Sequence, residues 1–404
     1  MQNNSQKLSK MLGIVVTIVL LASLFQWRAS QNLASQNYYK SNFFVFWLSG
    51  KLILEGQSPY NPSHWANGHM IYGQVTPREP TFLYPLPLAV FLTPLGLLST
   101  GQAYYLWQWF SQIAIALVVL ILLHRWKSTT YERLFIPIII FLTFFGPAYL
   151  TLQIGSLGPL TLLFIFGALY CLDKNYFIPA GILLSLTMLK PSQGATLLLL
   201  LGWVFLIRRQ WRIFWGIAIG GALLLLIGFF ADPNWLNVFR QSSAAAFDRR
   251  LGVQSTVWSF SYLVCNGKTP CDTILGGIGT VLLLGGCAYF IWVKHIHMTY
   301  WQIFNIVIPV AFVSSLYMWA YDQILYIFPI IWIGGTLVEK SKSYFFTFLF
   351  FILLDLISLF ALVQQAFTEK DLWSLGTTLV VLLFLFVAWR MKPKPTIDKA
   401  PASA

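Results

Sequence analysis

Long apolar runs separated by short polar interruptions recur along almost the whole chain. Each run holds roughly 15 to 24 residues, close to the length that an α-helix needs to cross a bilayer. Inside lipid, a helix satisfies its own backbone hydrogen bonds, whereas an open strand does not. The pattern therefore predicts an all-α, polytopic membrane protein. The runs are 10–28, 82–98, 101–124, 132–150, 156–172, 176–190, 191–207, 211–230, 273–293, 301–318, 322–338, 343–364 and 371–390.

The composition supports this class. Of the 404 residues, 57% are hydrophobic and 10% are charged, whereas a soluble domain carries about 25% charged residues. The formal net charge is +13, which in a soluble protein would indicate nucleic-acid binding. Here the cations lie in short loops between the apolar runs, as the positive-inside rule describes. We therefore expect membrane lipids, and no nucleic acid, as partners.

The charged loops also predict the topology. Lys7 and Lys10 precede the first run and the basic stretch 390–395 follows the last, so both termini are expected in the cytoplasm. Thirteen crossings would place the termini on opposite sides, so one run does not span. The run 82–98 is short and holds three prolines, and we expect it to form an interfacial or re-entrant helix. About twelve transmembrane helices remain.

This topology predicts one integral membrane domain over residues 1–391 of a multi-pass protein of the cell membrane. A disordered cytoplasmic tail is expected over 392–404. The first extracytoplasmic loop, 29–100, is expected to hold interfacial helices, and a second long extracytoplasmic loop covers 231–272. Long loops often carry function, so a functional site is expected there.

Cysteine and histidine spacing predicts a disulfide and no metal site. Cys265 and Cys271 flank a turn-forming stretch of the second outer loop, where a small disulfide is expected in an oxidising compartment. His64 and His69 in the first outer loop are five residues apart with no carboxylate between them, which is a poor arrangement for a helical metal pair. We expect no metal ion.

The first outer loop contains an aromatic stretch with helical spacing. Phe43, Phe46 and Trp47 lie on one helical face, and Gly56 and Pro59 are expected to end the helix. An amphipathic aromatic helix beside a membrane segment lies in the interface. Such a helix either anchors the chain on lipid or forms the wall of a site at the membrane surface. Periodicity alone favours the anchor.

The same stretch carries a motif of a known family. Asn42-Phe43-x-x-Phe46-Trp47, followed by Gly56-x-x-Pro59-Tyr60-x-Pro62, resembles the opening pattern of glycosyltransferase family 87, which begins with Asp. The resemblance implies a polyprenol-phosphate-mannose-dependent α-mannosyltransferase of the GT-C type. It also implies a lipid-linked sugar donor as co-substrate and no other cofactor. Shorter matches continue in the family's order at 84–87, 153–155, 180–181, 190–191, 254–255 and 321–323.

One departure from the family pattern concerns the reaction itself. The family's Asp resembles the catalytic base of related enzymes, and this chain has Asn42 there. An amide does not accept a proton as a carboxylate does. No Asp or Glu precedes Glu55, so a small shift of the match supplies no base. Either the chain is impaired or another carboxylate, such as Asp322 or Glu79, replaces the missing one.

Transfer of a sugar from a lipid phosphate sets the remaining requirements. Cations stabilise the departing phosphate, a carboxylate lies opposite the leaving group in an inverting transfer, and an apolar groove holds the prenyl tail. The topology places candidates for each role on the outer side. Catalytic candidates are Asn42, Asp322 and Glu79; donor-phosphate candidates are Lys190, Arg78, Arg249 and Arg250; sugar- or acceptor-binding candidates are Gln153, Gln254, Tyr84 and Tyr321.

Several of these candidates also have a purely structural interpretation. Lys190 at a helix end is placed to snorkel to lipid head groups. Asp322 at a helix start is favoured by the positive end of the helix dipole. The cations Arg249 and Arg250 suit an exposed surface loop as well as a bidentate phosphate clamp.

Three functions are open at this point, and the resemblance implies the donor class of the first. The first is inverting transfer of a hexose, with mannose as the expected sugar, from a polyprenyl-phosphate donor to a lipid or glycan acceptor at the extracytoplasmic face. The second is a catalytically impaired homologue that binds lipid-linked sugar. The third is a transporter or flippase, a class that places ionisable residues near the bilayer midplane. In this chain the clearest acid within an apolar run, and so the residue that such a function would use, is Asp355.

Overall fold

The computed structural model describes residues 30–31, 37–341 and 344–391. Within these ranges the chain is helical and contains no β-strand, which confirms the predicted all-α class. The first apolar run, 10–28, and the tail 392–404 lie outside the described residues.

The helices are numbered in chain order over the described ranges. The first outer loop holds α1 to α4, which are Asn42–Leu54, Pro62–Gly73, Leu86–Phe91 and Thr93–Gly96. Helices α5 to α11 are Thr100–His124, Ser128–Phe144, Gly146–Ile154, Gly158–Asp173, Phe177–Leu186, Pro191–Ile207 and Trp211–Ala231. The second outer loop holds α12 and α13, Trp235–Arg250 and Val257–Val264. Helices α14 to α18 are Cys271–Lys294, Tyr300–Val313, Ile327–Ser341, Tyr344–Thr368 and Leu375–Arg390.

Six helical segments of the described part are long and apolar enough to cross a bilayer. A seventh span arises if α6 and α7, which are bent by 56° relative to each other, count as one. Four more predicted crossings correspond to the shorter apolar helices α8, α9, α10 and α15. The structure thus supports a multi-pass membrane protein, and the count of about twelve spans stays a prediction. The six segments are Thr100–His124, Trp211–Ala231, Cys271–His297, Ala320–Lys340, Tyr344–Thr368 and Leu372–Arg390.

The run 82–98 forms α3 and α4, which have six and four residues and are each too short to cross a bilayer. Pro87 and Pro94 lie in the first turns of these helices, where the missing N–H of proline leaves no helical hydrogen bond unmade. Helix α4 crosses α1 so closely that a Cβ on Gly96 would lie 2.7 Å from the backbone nitrogen of Lys51. The run therefore packs on α1, as expected for a segment that does not span.

The aromatic face of α1 is buried in protein. Phe43, Phe44, Phe46 and Trp47 are each at most 2% exposed. The ring of Phe43 lies against Tyr104 of α5, with ring centroids 5.2 Å apart. The interpretation of α1 as an anchor lying on lipid is therefore wrong, because its aromatic side chains fill the space between the first loop and the bundle.

The loops predicted to face the cytoplasm meet at one end of the bundle. Arg125 after α5 pairs with Asp173 at the end of α8. Arg208 after α10 donates hydrogen bonds to backbone carbonyls of loop 295–298, and Lys340 donates to the last turn of α18. Loops that are far apart in sequence and share positive charge thus share one end, which we call the cationic end.

Candidate active site

A cavity of about 1230 Å³ opens between the first outer loop and the bundle. It lies at the end opposite the cationic end, because α10 begins in the cavity wall at Pro191 and ends beside Arg208. Helix α15 likewise starts near the cationic end, and the chain that follows it lines the cavity. The predicted site residues that line this cavity are Asn42, Arg78, Glu79, Tyr84, Lys190 and Tyr321.

The bundle side of the cavity is built on a buried ion pair. Lys190, between the 3₁₀ turn Thr187–Leu189 and α10, is 3% exposed and pairs with Asp322, which is fully buried. The Lys190 Nζ atom also lies 5.0 Å from the centre of the Tyr321 ring. Lys190 lines the cavity and Asp322 does not. Lys190 therefore does not snorkel to lipid. Asp322 lies behind the cavity wall and fixes the Lys190 ammonium group through the ion pair.

Asp322 is fixed by its own backbone surroundings as well. Its Oδ2 accepts a hydrogen bond from the backbone N–H of Trp319 at 3.1 Å, which satisfies a donor at the start of the 3₁₀ turn Ala320–Tyr326. This is the helix-start role that the sequence suggested as an alternative. A carboxylate used in two ways and closed off from the cavity is poorly placed to accept a proton from a substrate.

The chain before Asp322 presents three aromatic rings to the cavity. Tyr317, Trp319 and Tyr321 alternate along this segment and all line the cavity. The rings of Trp319 and Tyr321 are nearly parallel at 10°, with centroids 6.5 Å apart. Together with Lys190 these residues form what we call the bundle wall.

Asp371 holds this aromatic segment in place. Its carboxylate accepts hydrogen bonds from the Ala320 N–H and, at 2.8 Å, from the Ser374 hydroxyl. Its own N–H donates to the carbonyl of Val253 at 2.6 Å. The side chain is 1% exposed. Asp371 thus joins the second outer loop, the aromatic segment and the start of the last span.

The opposite side of the cavity, which we call the loop wall, comes from the first outer loop. Asn42 is the first residue of α1 and is half-buried. Arg78 and Glu79 follow α2, and the Glu79 carbonyl accepts a hydrogen bond from the Trp65 indole at 3.1 Å. Among the described lining residues, Glu79 is the one carboxylate. Tyr84 completes the wall.

His69 of α2 also belongs to the loop wall. It is 4% exposed and lines the cavity. Its Nδ1 lies 2.9 Å from the carbonyl oxygen of Trp65, and its ring meets those of Trp65 and Phe44 edge to face, at 4.5 and 5.4 Å between centroids. Burial lowers the pKa of the His69 imidazole below its usual value. The ring is therefore neutral at physiological pH.

A family model for glycosyltransferase family 87 matches residues 82–322, more than half of the chain. The chain belongs to glycosyltransferase family 87. It is thus a membrane glycosyltransferase by family, and the matched part includes Tyr84, Lys190 and Asp322. A comparison with proteins of curated function and with solved structures finds no match. The family 87 match begins after the motif at Asn42, so the correspondence of Asn42 with the family's Asp rests on the motif itself.

Some predicted site residues of this family 87 chain do not reach the cavity. Gln153 is half-buried and does not line it, although its neighbour Ile154 does. Gln254 is 1% exposed, and its side-chain amide has no partner in the described part of the chain. The backbone of Arg249 and Arg250 ends α12, but their side chains lie outside those described.

Two residues of the site in this family 87 chain, His69 and Asp371, are not predicted from the sequence. A pattern of two histidines suggests only a metal ligand at His69, although the spacing Trp65-x-x-x-His69 places the imidazole one turn after a carbonyl on the same helix. Asp371 follows Glu369 and Lys370 in a short polar loop, where nothing in the sequence distinguishes a buried acid from a solvated one.

Proposed function

We propose that this chain transfers a hexose, with mannose as the expected sugar, from a polyprenyl-phosphate donor to a lipid or glycan acceptor at the extracytoplasmic face. The observation that carries the proposal is the cavity that Asn42, Arg78 and Glu79 of the first loop line together with Lys190 and Tyr321 of the bundle. Family membership supports the reaction class, and the cavity supports a lipid-linked donor.

Lys190 and Arg78 line the same cavity and are our candidates for binding the donor phosphate. Lys190 carries three N–H donors, and Asp322 accepts from one side of the ammonium group, so further donors are left for a phosphate in the cavity that Lys190 lines. Arg78 is exposed on the opposite wall and offers the forked geometry that binds phosphate oxygens. Two cations around a departing phosphate stabilise the charge that develops as the sugar bond breaks.

Apolar lining beside these cations suits a prenyl chain. Phe239 and Phe247 of α12, Leu150 of α7 and Leu316 after α15 all face the cavity. The same cavity therefore offers cations for a phosphate and hydrocarbon contacts for its lipid. A soluble nucleotide-sugar donor would leave this apolar surface unused.

The positive-inside rule supports an extracytoplasmic site. The cavity lies opposite the cationic end, and cations accumulate on the cytoplasmic side of membrane proteins. The second outer loop also carries a disulfide between Cys265 and Cys271, a bond typical of oxidising compartments. Donor polyprenyl phosphates would then enter from the outer leaflet.

A second candidate function follows from Asn42. Because this residue faces the cavity as an amide, the chain would bind lipid-linked sugar without transferring it if no other group accepts the acceptor's proton. Transport across the membrane is less well supported, since the charged lining of the cavity collects at one end of the bundle.

A transfer assay separates the two candidates. The purified chain in lipid nanodiscs is incubated with radiolabelled polyprenyl-phosphate-mannose and a panel of lipid and glycan acceptors. Labelled product from the wild type supports the transferase. Donor binding without product, combined with product from Asn42→Asp, would identify an impaired homologue. If both the wild type and Asn42→Asp fail to bind the donor and form no product, the proposed function is contradicted.

A further inference from the structure

We propose that the imidazole of His69 is the general base that accepts the proton of the acceptor hydroxyl in this chain. The proposal rests on the transferase function above and names the group that makes it possible without a carboxylate at position 42.

The reaction needs one proton acceptor on the acceptor side. A bond forms between the acceptor oxygen and the anomeric carbon, and the bond from that carbon to the phosphate oxygen breaks with its electron pair leaving on the phosphate. The hydroxyl proton moves to Nε2 of His69, which becomes an imidazolium. The products are the glycosylated acceptor and polyprenyl phosphate, and the imidazolium then releases its proton to water.

Few groups in the cavity are able to accept that proton. Among the described lining residues, the neutral or anionic bases are His69 and Glu79. Asp322 is paired with Lys190 behind the wall, and Asn42 is an amide. Glu79 lies on an irregular segment after α2, whereas His69 lies within α2 itself. Groups on regular elements are held more precisely.

The hydrogen bond at Nδ1 determines which nitrogen of His69 acts. A carbonyl oxygen only accepts, so the bond to Trp65 places the proton on Nδ1 and leaves the lone pair on Nε2. No partner for Nε2 occurs in the described part of the chain, and the ring forms part of the cavity wall. Enzymes that activate a hydroxyl nucleophile commonly use a base that a third group holds in a fixed orientation.

The imidazole also lies beside the helix that carries Asn42. Phe44, two residues after Asn42 on α1, contacts the His69 ring. Asn42 and His69 both line the cavity from the side of the first outer loop, and Lys190 lines it from the bundle side. An acceptor bound in this cavity would lie within the space that His69 lines, with the donor phosphate bound by Lys190 on the bundle wall.

The test compares variants in the transfer assay with saturating donor. His69→Gln should lower kcat by about 100-fold or more, the range of general acid–base catalysis, while the affinity for donor stays within about 3-fold, because the change leaves Lys190 and Arg78 in place. His64→Gln, on the same helix and outside the cavity lining, is the matched control and should retain wild-type kcat.

Rescue separates chemistry from folding. Asn42→Asp in the His69→Gln background should restore transfer, because the added carboxylate supplies a base at the same wall. Free imidazole should partly restore His69→Ala. Near wild-type kcat in His69→Gln would overturn the proposal, whatever the effect of Glu79→Gln. The proposal is also overturned if the wild type binds donor but transfers the sugar only after Asn42→Asp. A wild type that neither binds donor nor forms product would contradict the proposed function instead.

Discussion

Lys190 and Asp322, 132 positions apart in the chain, form a buried ion pair in which Lys190 lines the cavity and Asp322 lies behind it. Removing one partner of a buried pair leaves an uncompensated charge and costs about 3–5 kcal/mol, whereas replacing both with apolar residues of similar volume is often neutral. Either single variant, Lys190→Met or Asp322→Leu, should therefore unfold at a markedly lower temperature than the wild type.

The double variant Lys190→Met/Asp322→Leu separates stability from binding. It should recover most of the thermal stability lost in the single variants, and it should still fail to bind polyprenyl phosphate, because the cation is gone. Thermal unfolding in detergent and donor binding in nanodiscs measure the two effects. Wild-type donor affinity in a stable double variant would remove Lys190 from the phosphate site.

This pair shows which parts of the site the sequence carries. The family motifs indicate Lys190 and Asp322 separately as site candidates. Short motifs do not predict that two side chains so far apart in the chain form an ion pair. The pairing arises only when the start of α10 meets the chain that follows α15. For the same reason the sequence placed Asp322 in the catalytic set, and the structure places it behind Lys190.

The sequence predicted the shared end of the charged loops better than it predicted the individual spans. The positive charge of the loops alone predicted that Arg125, Arg208 and Lys340 lie at the same end of the bundle, and the structure places them there. Span lengths are harder, because a helix enclosed by other helices need not cover the full bilayer, and α6 and α7 are bent apart at Phe145 and Gly146. Hydropathy identifies the apolar residues of α6 and α7 but does not predict the bend between the two helices.

Asp371 should position the aromatic segment of the bundle wall. In Asp371→Ala the Ala320 N–H loses its acceptor, and an unpaired buried donor costs about 1–3 kcal/mol. We expect a lower unfolding temperature and weaker binding of donor, since Trp319 and Tyr321 flank the released backbone. Asp371→Asn keeps one acceptor oxygen and should lose less. Thermal unfolding and donor binding report both effects.

The neighbouring acid provides the control for that series. Glu369 is exposed two residues earlier, so Glu369→Gln should change neither measurement. An Asp371→Ala variant that binds donor as tightly as the wild type would show that the aromatic segment holds its position without this carboxylate.

Labelling of single cysteines checks that the cavity and the cationic end face opposite sides of the membrane. In a background with Cys171 and Cys287 replaced by serine, Arg78→Cys and Gln365→Cys should react with a membrane-impermeant maleimide in intact cells, because both positions line the cavity. Lys174→Cys and Arg209→Cys, exposed near the cationic end, should react only after the membrane is opened. Labelling of all four from one side would contradict an outward-facing site.

The pH dependence of transfer gives the most direct view of the base. Burial lowers the pKa of His69 below 6.5. Above that pKa the Nε2 lone pair is free, and below it the imidazolium accepts no proton. At saturating donor, kcat should therefore rise with pH through a pKa under 6.5 and then level off. Initial rates across a pH series, with protein stability checked at each pH, define this acidic limb.

The variants assign the limb to one residue. The charged groups that line the cavity with the imidazole are Arg78, Glu79 and Lys190, and the lining tyrosines are Tyr39, Tyr84, Tyr317 and Tyr321. Titration of one of these groups has to be distinguished from that of the base. In Asn42→Asp/His69→Gln, the limb should move toward the value of an ordinary aspartate, about 3.9. A limb that persists unchanged in this variant and vanishes in Glu79→Gln would transfer the role to Glu79, because only loss of the titrating group itself removes its signature.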